Sequence, residues 1–473
     1  MSSMTTLAKV HAMLPGSLLL NISAQDAESL MLSRVGTDSR QIDAGELFIA
    51  LAGERFDAHD FLVDVANSGA GAALVSDAKK CPENLPAVCV SDTRIGLGEL
   101  AKAWRTSHAI PLALVTGSNG KTTVKEMIAS IFRAEAGEAH TLVTKGNLNN
   151  EIGLPLTLLR LRSTDALAVI ELGMNHPGET ARLASIAQAN IALINNAQRE
   201  HQEFMQTVAA VAEEHADVIR ALPKDGIAVF PADSEFSEMW KSAVADRKVI
   251  DFALTTSQSN SDAVVSGYQL PDTKVLVQVG THSIEIQLNT LGSHNVRNAL
   301  AASAVALAAG ISLEKIKQGL EAFAPVNGRM QVKFSDSKYT LIDDSYNANP
   351  ESVIAALRTL ALLTQERGGS SWAILGKMHE LGESSATEHG RVGKIAADIG
   401  IDNLIAVGES NYLNDLKSGD TMAVNLSNKE EVSAYIKYFE PGDVILVKAS
   451  RAEKFETIAS EIESALQERG PLE

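Results

Sequence analysis

Only two cysteines, Cys81 and Cys89, occur in 473 residues. A disulfide framework is thereby excluded, and two reduced, structural thiols suit a cytoplasmic protein. No apolar run reaches the roughly 18 residues a membrane-spanning helix requires. Residues 1–10 lack a basic stretch followed by an apolar core, so no signal peptide is expected. Basic excess is missing too: 41 Lys and Arg stand against 59 Asp and Glu, a net charge of -18. Nucleic acids and anionic membranes call for basic surfaces, which makes them poor partners here. Small polyanions stay admissible, because a glycine loop and a few lysines can bind them inside an acidic protein. Repeats and low-complexity tracts are also absent. What remains is 45% hydrophobic and 21% charged, the composition of a soluble globular enzyme. The length suffices for about three domains with substantial cores.

One stretch organises the rest: Val115-Thr116-Gly117-Ser118-Asn119-Gly120-Lys121-Thr122-Thr123. The apolar run 112–115 before it, bounded by Pro111, predicts a buried strand. After it, Val124, Met127, Ile128, Ile131 and Phe132 mark one face of a helix. Strand, glycine loop and helix make a phosphate cradle, because bare N–H groups and the positive end of the helix dipole face the anion. In such a cradle Lys121 meets the β- and γ-phosphates, and the Thr122 hydroxyl meets Mg²⁺. The longer P-loop pattern would put a glycine where Val115 stands, so this loop is a shortened G-x-x-G-K-T.

Residues 1–108 read as a small α/β unit, with strands at 47–51 and 72–75 and a helix over 95–106. Two polar clusters, Thr37-Asp38-Ser39-Arg40 and Asp57-Ala58-His59-Asp60-Phe61, are by themselves no more than surface turns. From 109 to 325 strand and helix alternate, the rhythm of a parallel sheet covered on both faces. An amide-rich loop, 144–155, carries Asn149 and Asn150 and follows a short strand at 141–143. Ligands of such sheets bind at the carboxyl ends of strands, so this loop is expected beside the phosphate site. The buried strand 166–170 ends on Glu171, a position suited to holding Mg²⁺. The strand 191–194 runs into Asn195-Asn196-Ala197-Gln198-Arg199-Glu200-His201, where His201 reads equally as a ligand and as a turn residue. Short alternation over 264–288 suggests an antiparallel edge to the same sheet. The segment 291–298 opens a helix running to Gly310. Ser293 or His294 could cap it, and the side chains of His294, Asn295 and Asn298, one turn apart, are equally well placed to touch a base or ribose. Past Pro325 the strand–helix pattern resumes to the end, 326–473, and reads as a Rossmann-like domain without G-x-G-x-x-G. Three of its strands deliver polar groups to one edge: 343–350 (with Asn347 and Asn349), 376–382, and Lys448-Ala449-Ser450-Arg451.

The shortened G-x-x-G-K-T loop, the helix-opening Gly292-Ser293-His294-Asn295-Val296-Arg297-Asn298 and the linker Gly328-Arg329 together resemble the Mur ligases of peptidoglycan synthesis, over essentially the whole chain. Asp343-Asp344-Ser345-Tyr346-Asn347-Ala348-Asn349-Pro350, Lys145-Gly146-Asn147-Leu148-Asn149-Asn150 and Gly376-Lys377-Met378-His379-Glu380-Leu381-Gly382 are similar to the member adding the terminal dipeptide. An Asp-Asn-Pro-Arg motif, expected of the ligase adding the third stem residue, is missing. The resemblance implies an α/β protein of three domains: a UDP-binding domain, a P-loop ATPase domain with a parallel sheet, and a Rossmann-like ligase domain. It implies ATP and Mg²⁺, UDP-N-acetylmuramoyl-tripeptide and D-alanyl-D-alanine as substrates, an acyl-phosphate intermediate, and a cytoplasmic enzyme expected to be monomeric.

Residue roles follow from the same likeness. Ser39, Arg40, Asp57 and His59 would hold the UDP-muramoyl end. Gly117, Ser118, Asn119, Gly120, Lys121, Thr122 and Thr123 would cradle ATP, with Thr122, Glu171 and His201 serving the metals. Asn295 and Asn298 would contact adenine. Arg329 and Asp344 would reach phosphate and ribose, with Tyr346 near the base. Lys121, Glu171, His201 and Arg329 form the expected catalytic set, while Asn149, Asn150, Asn347, Asn349, Ser450 and Arg451 would lie near the acyl group or the dipeptide. Ala58 and Ala449 replace usual glycines. More consequential, Mur ligases commonly carry a lysine near 211–217 that becomes carbamylated and bridges to a second metal. No lysine lies between His201 and Lys224. Either His215, Glu213, Glu214 or Asp217 substitutes, or that metal is held differently. A folylpolyglutamate synthase-like ligase and a nucleotide-gated binding module are the competing expectations.

Overall fold

The structure is a computed structural model of the chain. It describes all residues except 1–2, 54, 201–204, 206, 257–260, 272, 336–337, 415, 417–420 and 469–473. The expected strand ahead of the glycine loop is Leu112–Thr116, and the helix after it is Lys121–Ala136. That strand sits inside a six-stranded sheet ordered Lys248–Val249, Ile227–Val229, Ile191–Ile194, Leu112–Thr116, Leu167–Glu171, Thr141–Val143. Every pairing in it is parallel. Its three central strands, Ile191–Ile194, Leu112–Thr116 and Leu167–Glu171, are buried at every position, as a sheet covered on both faces demands.

Before this sheet lies a five-stranded one. Its strands Ala87–Cys89, Ala72–Val75, Leu47–Ile49 and Val35–Gly36 run parallel, and Leu18–Leu20 pairs antiparallel at the edge. After it comes a second six-stranded sheet: Gln331–Ser335, Thr340–Asp343, Val444–Lys448, Ser371–Leu375, Asn403–Val407, Met422–Leu426. Only its first pairing is antiparallel.

One expectation fails. The alternating segment does not edge the central sheet. Phe252–Leu254, Val265–Gln269, Lys274–Val279 and His282–Gln287 form a separate four-stranded sheet. Alternation specifies a half-buried strand but not which surface it covers. Here Val265, Val275, Val277 and Ile286 pack with Val296, Leu300 and Ala304 of helix Ser293–Ala308. The same cluster takes in Ile128, Ile131 and Phe132 of helix Lys121–Ala136. Helix Ser293–Ala308 is thus sandwiched, which explains why it is apolar around most of its circumference. It also starts differently from expectation: Gly292, at φ 89°, is the N-cap, and no side chain caps it.

Candidate active site

The phosphate loop takes its shape from two glycines and from the segment beside it. Gly120 is left-handed at φ 77° and Gly117 has φ 135°. A Cβ on Gly117 would stand 3.0 Å from Asn195 Cβ and from Asn196 N, so only glycine allows the loop to lie this close. The 195–200 segment then holds the loop: Ser118 N donates to Asn196 O and Asn119 N to Asn196 Oδ1. Gln198 N donates to Ser118 Oγ, while Asn195 Nδ2 donates to Asn119 O and to Asn298 Oδ1. The Lys121 ammonium folds back onto Gly117 O (2.5 Å) and Ser118 O (3.2 Å), and pairs at 3.4 Å with buried Glu200.

Glu171, the last residue of its strand, is buried beside Thr122. Its Oε1 accepts from Asn149 Nδ2 (2.8 Å) and from Thr122 Oγ1 (3.3 Å), whereas its buried Oε2 has no partner. Asn150 turns the other way, its Oδ1 accepting from the N–H groups of Ile152 and Gly153. His201 lies outside the described residues.

Facing the loop is the carboxyl edge of the last sheet. Asp344 accepts from Met330 N and from the Lys448 ammonium at 2.6 Å, and Lys448 also donates to Asn347 O. The Arg329 guanidinium stacks 4.1 Å over the Tyr346 ring, with its Nε buried and unpartnered. Asn349 caps helix Pro350–Arg367 in a capping box with Ser352, and its Nδ2 crosses to Asn119 Oδ1 at 2.7 Å. Ser450 is internal, its Oγ accepting from His379 N and donating to Ala348 O. Arg451 lies on the surface, 5.5 Å over Tyr346.

Together these walls enclose a cleft of about 790 Å³. It is lined by Ser118 to Thr123, Asn149, Asn150, Glu171, Asn295, Asn298, Arg329, Asp344, Tyr346, Asn347 and Asn349 among others. Asn295 and Asn298 belong to its floor. Asn295 Nδ2 donates to Thr290 Oγ1 and Leu291 O, and Asn298 Nδ2 to Asn295 Oδ1. His294, also lining the cleft, is half-buried, and desolvation pushes its imidazole below the ordinary value.

Three family models match the chain: "Mur ligase family, catalytic domain" over residues 32–105, "Mur ligase middle domain" over 115–306, and "Mur ligase, glutamate ligase domain" over 328–451. The chain is also 39% identical, across 96% of its length and 97% of the other's, to UDP-N-acetylmuramoyl-tripeptide--D-alanyl-D-alanine ligase of Escherichia coli. It belongs to the Mur ligase family. Among solved structures, MurF of Acinetobacter baumannii superposes with a TM-score of 0.85 at 31% identity, covering 97% of this chain and 99% of that one. MurF ligase of Thermotoga maritima, solved with ADP, gives 0.80 at 25% identity, covering 92% and 98%.

Not every residue expected from the Mur ligase resemblance gathers at the cleft. Ser39, Arg40, Asp57 and His59 lie in the first domain and do not line it. Arg40 forms an exposed fork with Asp38. His59 is buried with both ring nitrogens engaged, Nδ1 by Asp57 (2.6 Å) and Nε2 by Ser76 N (2.8 Å), so it fixes the turn. Lys80, which sequence reasoning passed over, pairs with Asp57 and Asp60 and holds the Asp57 carboxyl well below the usual range. Of the four residues considered in place of the family lysine, three serve other ends. Glu213 and Asp217 pair with Arg220, and Glu214 caps the N–H groups of Gly178 and Thr180. Only His215 points toward the phosphate loop, meeting Thr116 and Glu200. Asn195, Glu200 and Lys448 were noted at strand ends but given no individual role, although each follows or ends a predicted strand at the sheet edge where ligands bind.

Proposed function

We propose that this chain catalyses ATP-dependent amide synthesis, adding D-alanyl-D-alanine to UDP-N-acetylmuramoyl-tripeptide with release of ADP and phosphate, in peptidoglycan precursor synthesis. One observation carries the reading: the phosphate loop of the middle domain and the Arg329–Tyr346 stack of the last domain face each other across a single cleft. We assign the UDP end of the substrate to residues 1–108, ATP to 109–325 and the dipeptide to 326–473, in a monomeric cytoplasmic enzyme.

A carboxylate is a poor electrophile, so activation precedes amide formation. The tripeptide carboxylate attacks the γ-phosphorus to give an acyl phosphate, and the dipeptide amine then displaces phosphate. The protein's task is to neutralise charge on the phosphoryl group and to hold three reactants in line. In this scheme Lys121 and Arg329 supply positive charge from opposite walls, and loop N–H groups cradle the phosphates. Asn295 and Asn298 form the floor beneath adenine. The amides of Asn149, Asn150, Asn347 and Asn349, with Ser450 and Arg451, border the acyl and dipeptide end. The Thr122 hydroxyl and the unpartnered Glu171 Oε2 fit Mg²⁺, an oxygen-seeking ion that needs few protein ligands. When bound, Mg²⁺ neutralises phosphate charge; His201 is assigned to it by resemblance alone. Closure of the cleft excludes water that would hydrolyse the acyl phosphate.

The test is a coupled ADP assay in which ATP, the UDP-tripeptide and the dipeptide are omitted in turn. ADP formation with all three present, together with its loss in Lys121→Ala, supports the reading. Near-normal ligation by Lys121→Ala refutes it, and stoichiometric nucleotide binding without turnover would favour the gated module.

A further inference from the structure

The mechanism above leaves a buried acid and a buried imidazole unused directly beneath the phosphate loop. Glu200 Oε1 lies 3.0 Å from Ser118 Oγ and 3.0 Å from His215 Nε2, while Oε2 pairs with Lys121. His215, on helix Val208–Arg220, is wholly buried, and its Nδ1 lies 3.1 Å from the hydroxyl of Thr116 at the end of strand Leu112–Thr116. We propose that Glu200 and His215 form a positioning pair: His215 anchors the Glu200 carboxylate, which in turn holds the Lys121 ammonium in place for the incoming phosphate. This deepens the ligase reading and rests on it.

Three physical points lead there. A buried carboxylate is costly unless donors satisfy it, and here three converge on it from different elements. An acid beside an anion-binding loop also opposes the ligand, so packing alone is a poor account of it. Finally, Lys121 is a point charge on a flexible four-carbon stem, and a fixed counter-charge removes that freedom before the ligand arrives. When phosphate takes over the ammonium, Glu200 must stay behind. His215 and Ser118 hold it there. Because an ionised carboxylate only accepts, the Nε2 of His215 is the donor in this contact.

Two near-isosteres separate positioning from packing. The Gln amide nitrogen reaches roughly where His Nε2 sits, and the Asn amide nitrogen where Nδ1 sits. His215→Gln should therefore keep the donor to Glu200, while His215→Asn keeps only the contact toward Thr116. In the ligation assay, His215→Asn and Glu200→Gln should each lower kcat at least fivefold with KM for the dipeptide unchanged, and His215→Gln should stay within twofold of the parent. Equal losses in both His215 variants, or a smaller effect of Glu200→Gln, overturn the pair. Should His215→Asn fail to fold, Glu200→Gln alone decides by the same threshold. A parent protein that forms no ADP with the three substrates would sink the ligase reading instead, a result distinguishable from failure of the pair.

Discussion

Adding one methyl group at Gly120 is the sharpest probe of the phosphate loop. Gly120 sits at φ 77° and ψ 0°, where a side chain costs on the order of 1–2 kcal/mol. Its Cβ would lie 2.8 Å from Asn298 Oδ1, 2.9 Å from Asn195 Nδ2 and 3.1 Å from Asn298 Nδ2. Those amides cannot simply withdraw, because Asn195 and Asn298 are buried and hydrogen-bonded to each other at 2.9 Å. Overpacking of that kind costs roughly 1–3 kcal/mol more. The loop can relieve part of the total by shifting, but only by moving the N–H groups that face phosphate. If about 2–3 kcal/mol reaches the transition state, kcat/KM for ATP should fall roughly 30- to 160-fold in Gly120→Ala. Kinetics are the right readout, since a multidomain chain has no single well-defined unfolding free energy. Gly280→Ala is the control: φ is 58°, but nothing lies within 4 Å, so strain arises far from the cleft and kcat/KM should not change. A Gly120→Ala enzyme within threefold of the parent would refute the loop geometry.

Glu171→Gln should raise the Mg²⁺ concentration for half-maximal ligation at least about tenfold, and an unchanged Mg²⁺ titration would remove Glu171 from that role. Arg199 reaches from the segment behind the loop to Glu388 of the last domain at 2.7 Å, with Glu351 and Arg391 completing the network. A partly exposed pair of this kind is worth about 1 kcal/mol. Arg199→Met should therefore raise KM for ATP severalfold at low ionic strength, and the difference should shrink in about 0.5 M salt as screening shortens the range of charge. A salt-independent difference would contradict an electrostatic link between the domains. His389 is buried, with Nε2 accepting from Met378 N and Nδ1 facing Ser385 O, and burial pushes its value below the ordinary one. The unfolded chain takes up that proton near pH 6.5, whereas the folded chain does so only at lower pH. Stability is therefore full above the unfolded value and lost as pH falls from there through the folded value. Local hydrogen-exchange protection of helix Ser385–Asp398 should fall between about pH 7 and pH 5.5, less so in His389→Gln; parallel pH profiles would count against this assignment.

Much of the fold was legible because its signals are local. The phosphate loop, the strand delivering Glu171 and the strands of the last sheet announce themselves as apolar runs ending in polar clusters; the loop, Glu171, Asp344, Asn347, Asn349 and Lys448 do meet in one cleft, whereas 376–382, Ser450 and Arg451 do not line it. Other features depend on what lies across space. Alternation in 264–288 specifies antiparallel pairing, but only the packed helix Ser293–Ala308 shows that these strands form their own sheet. The sequence 293–298 reads equally well as a helix start or as a set of base contacts. The role of Asn295 and Asn298 as floor depends on Thr290 and Asn195, and the latter is 103 residues from Asn298. Glu200 was hidden for a similar reason: beside His201 it looks like one polar residue in a polar run. Nothing in the local sequence reveals that His215 and Lys121 close on it.

The charges of the cleft explain how so acidic a chain binds nucleotide at all. Lys121 rests against Glu200, Lys448 against Asp344 and Arg297 against Asp233, so three cations facing the cleft are each matched to a carboxylate. Such pairing keeps the empty cleft from carrying a cluster of repelling cations. It also means that incoming phosphate competes with internal acids rather than meeting free positive charge. Arg329 differs: among the described residues no carboxylate meets it, and its guanidinium is held instead by the Tyr346 ring. A cation steadied by a π face keeps its charge uncompensated and available. Arg329 belongs to the last domain, which meets the phosphate loop and the segment beside it through Asn349 on Asn119 and Glu388 on Arg199, so in the mechanism we propose its charge reaches the phosphates across that domain contact. The proposed mechanism thereby ties charge neutralisation on the γ-phosphate to the same domain contact that would shield the acyl phosphate from water.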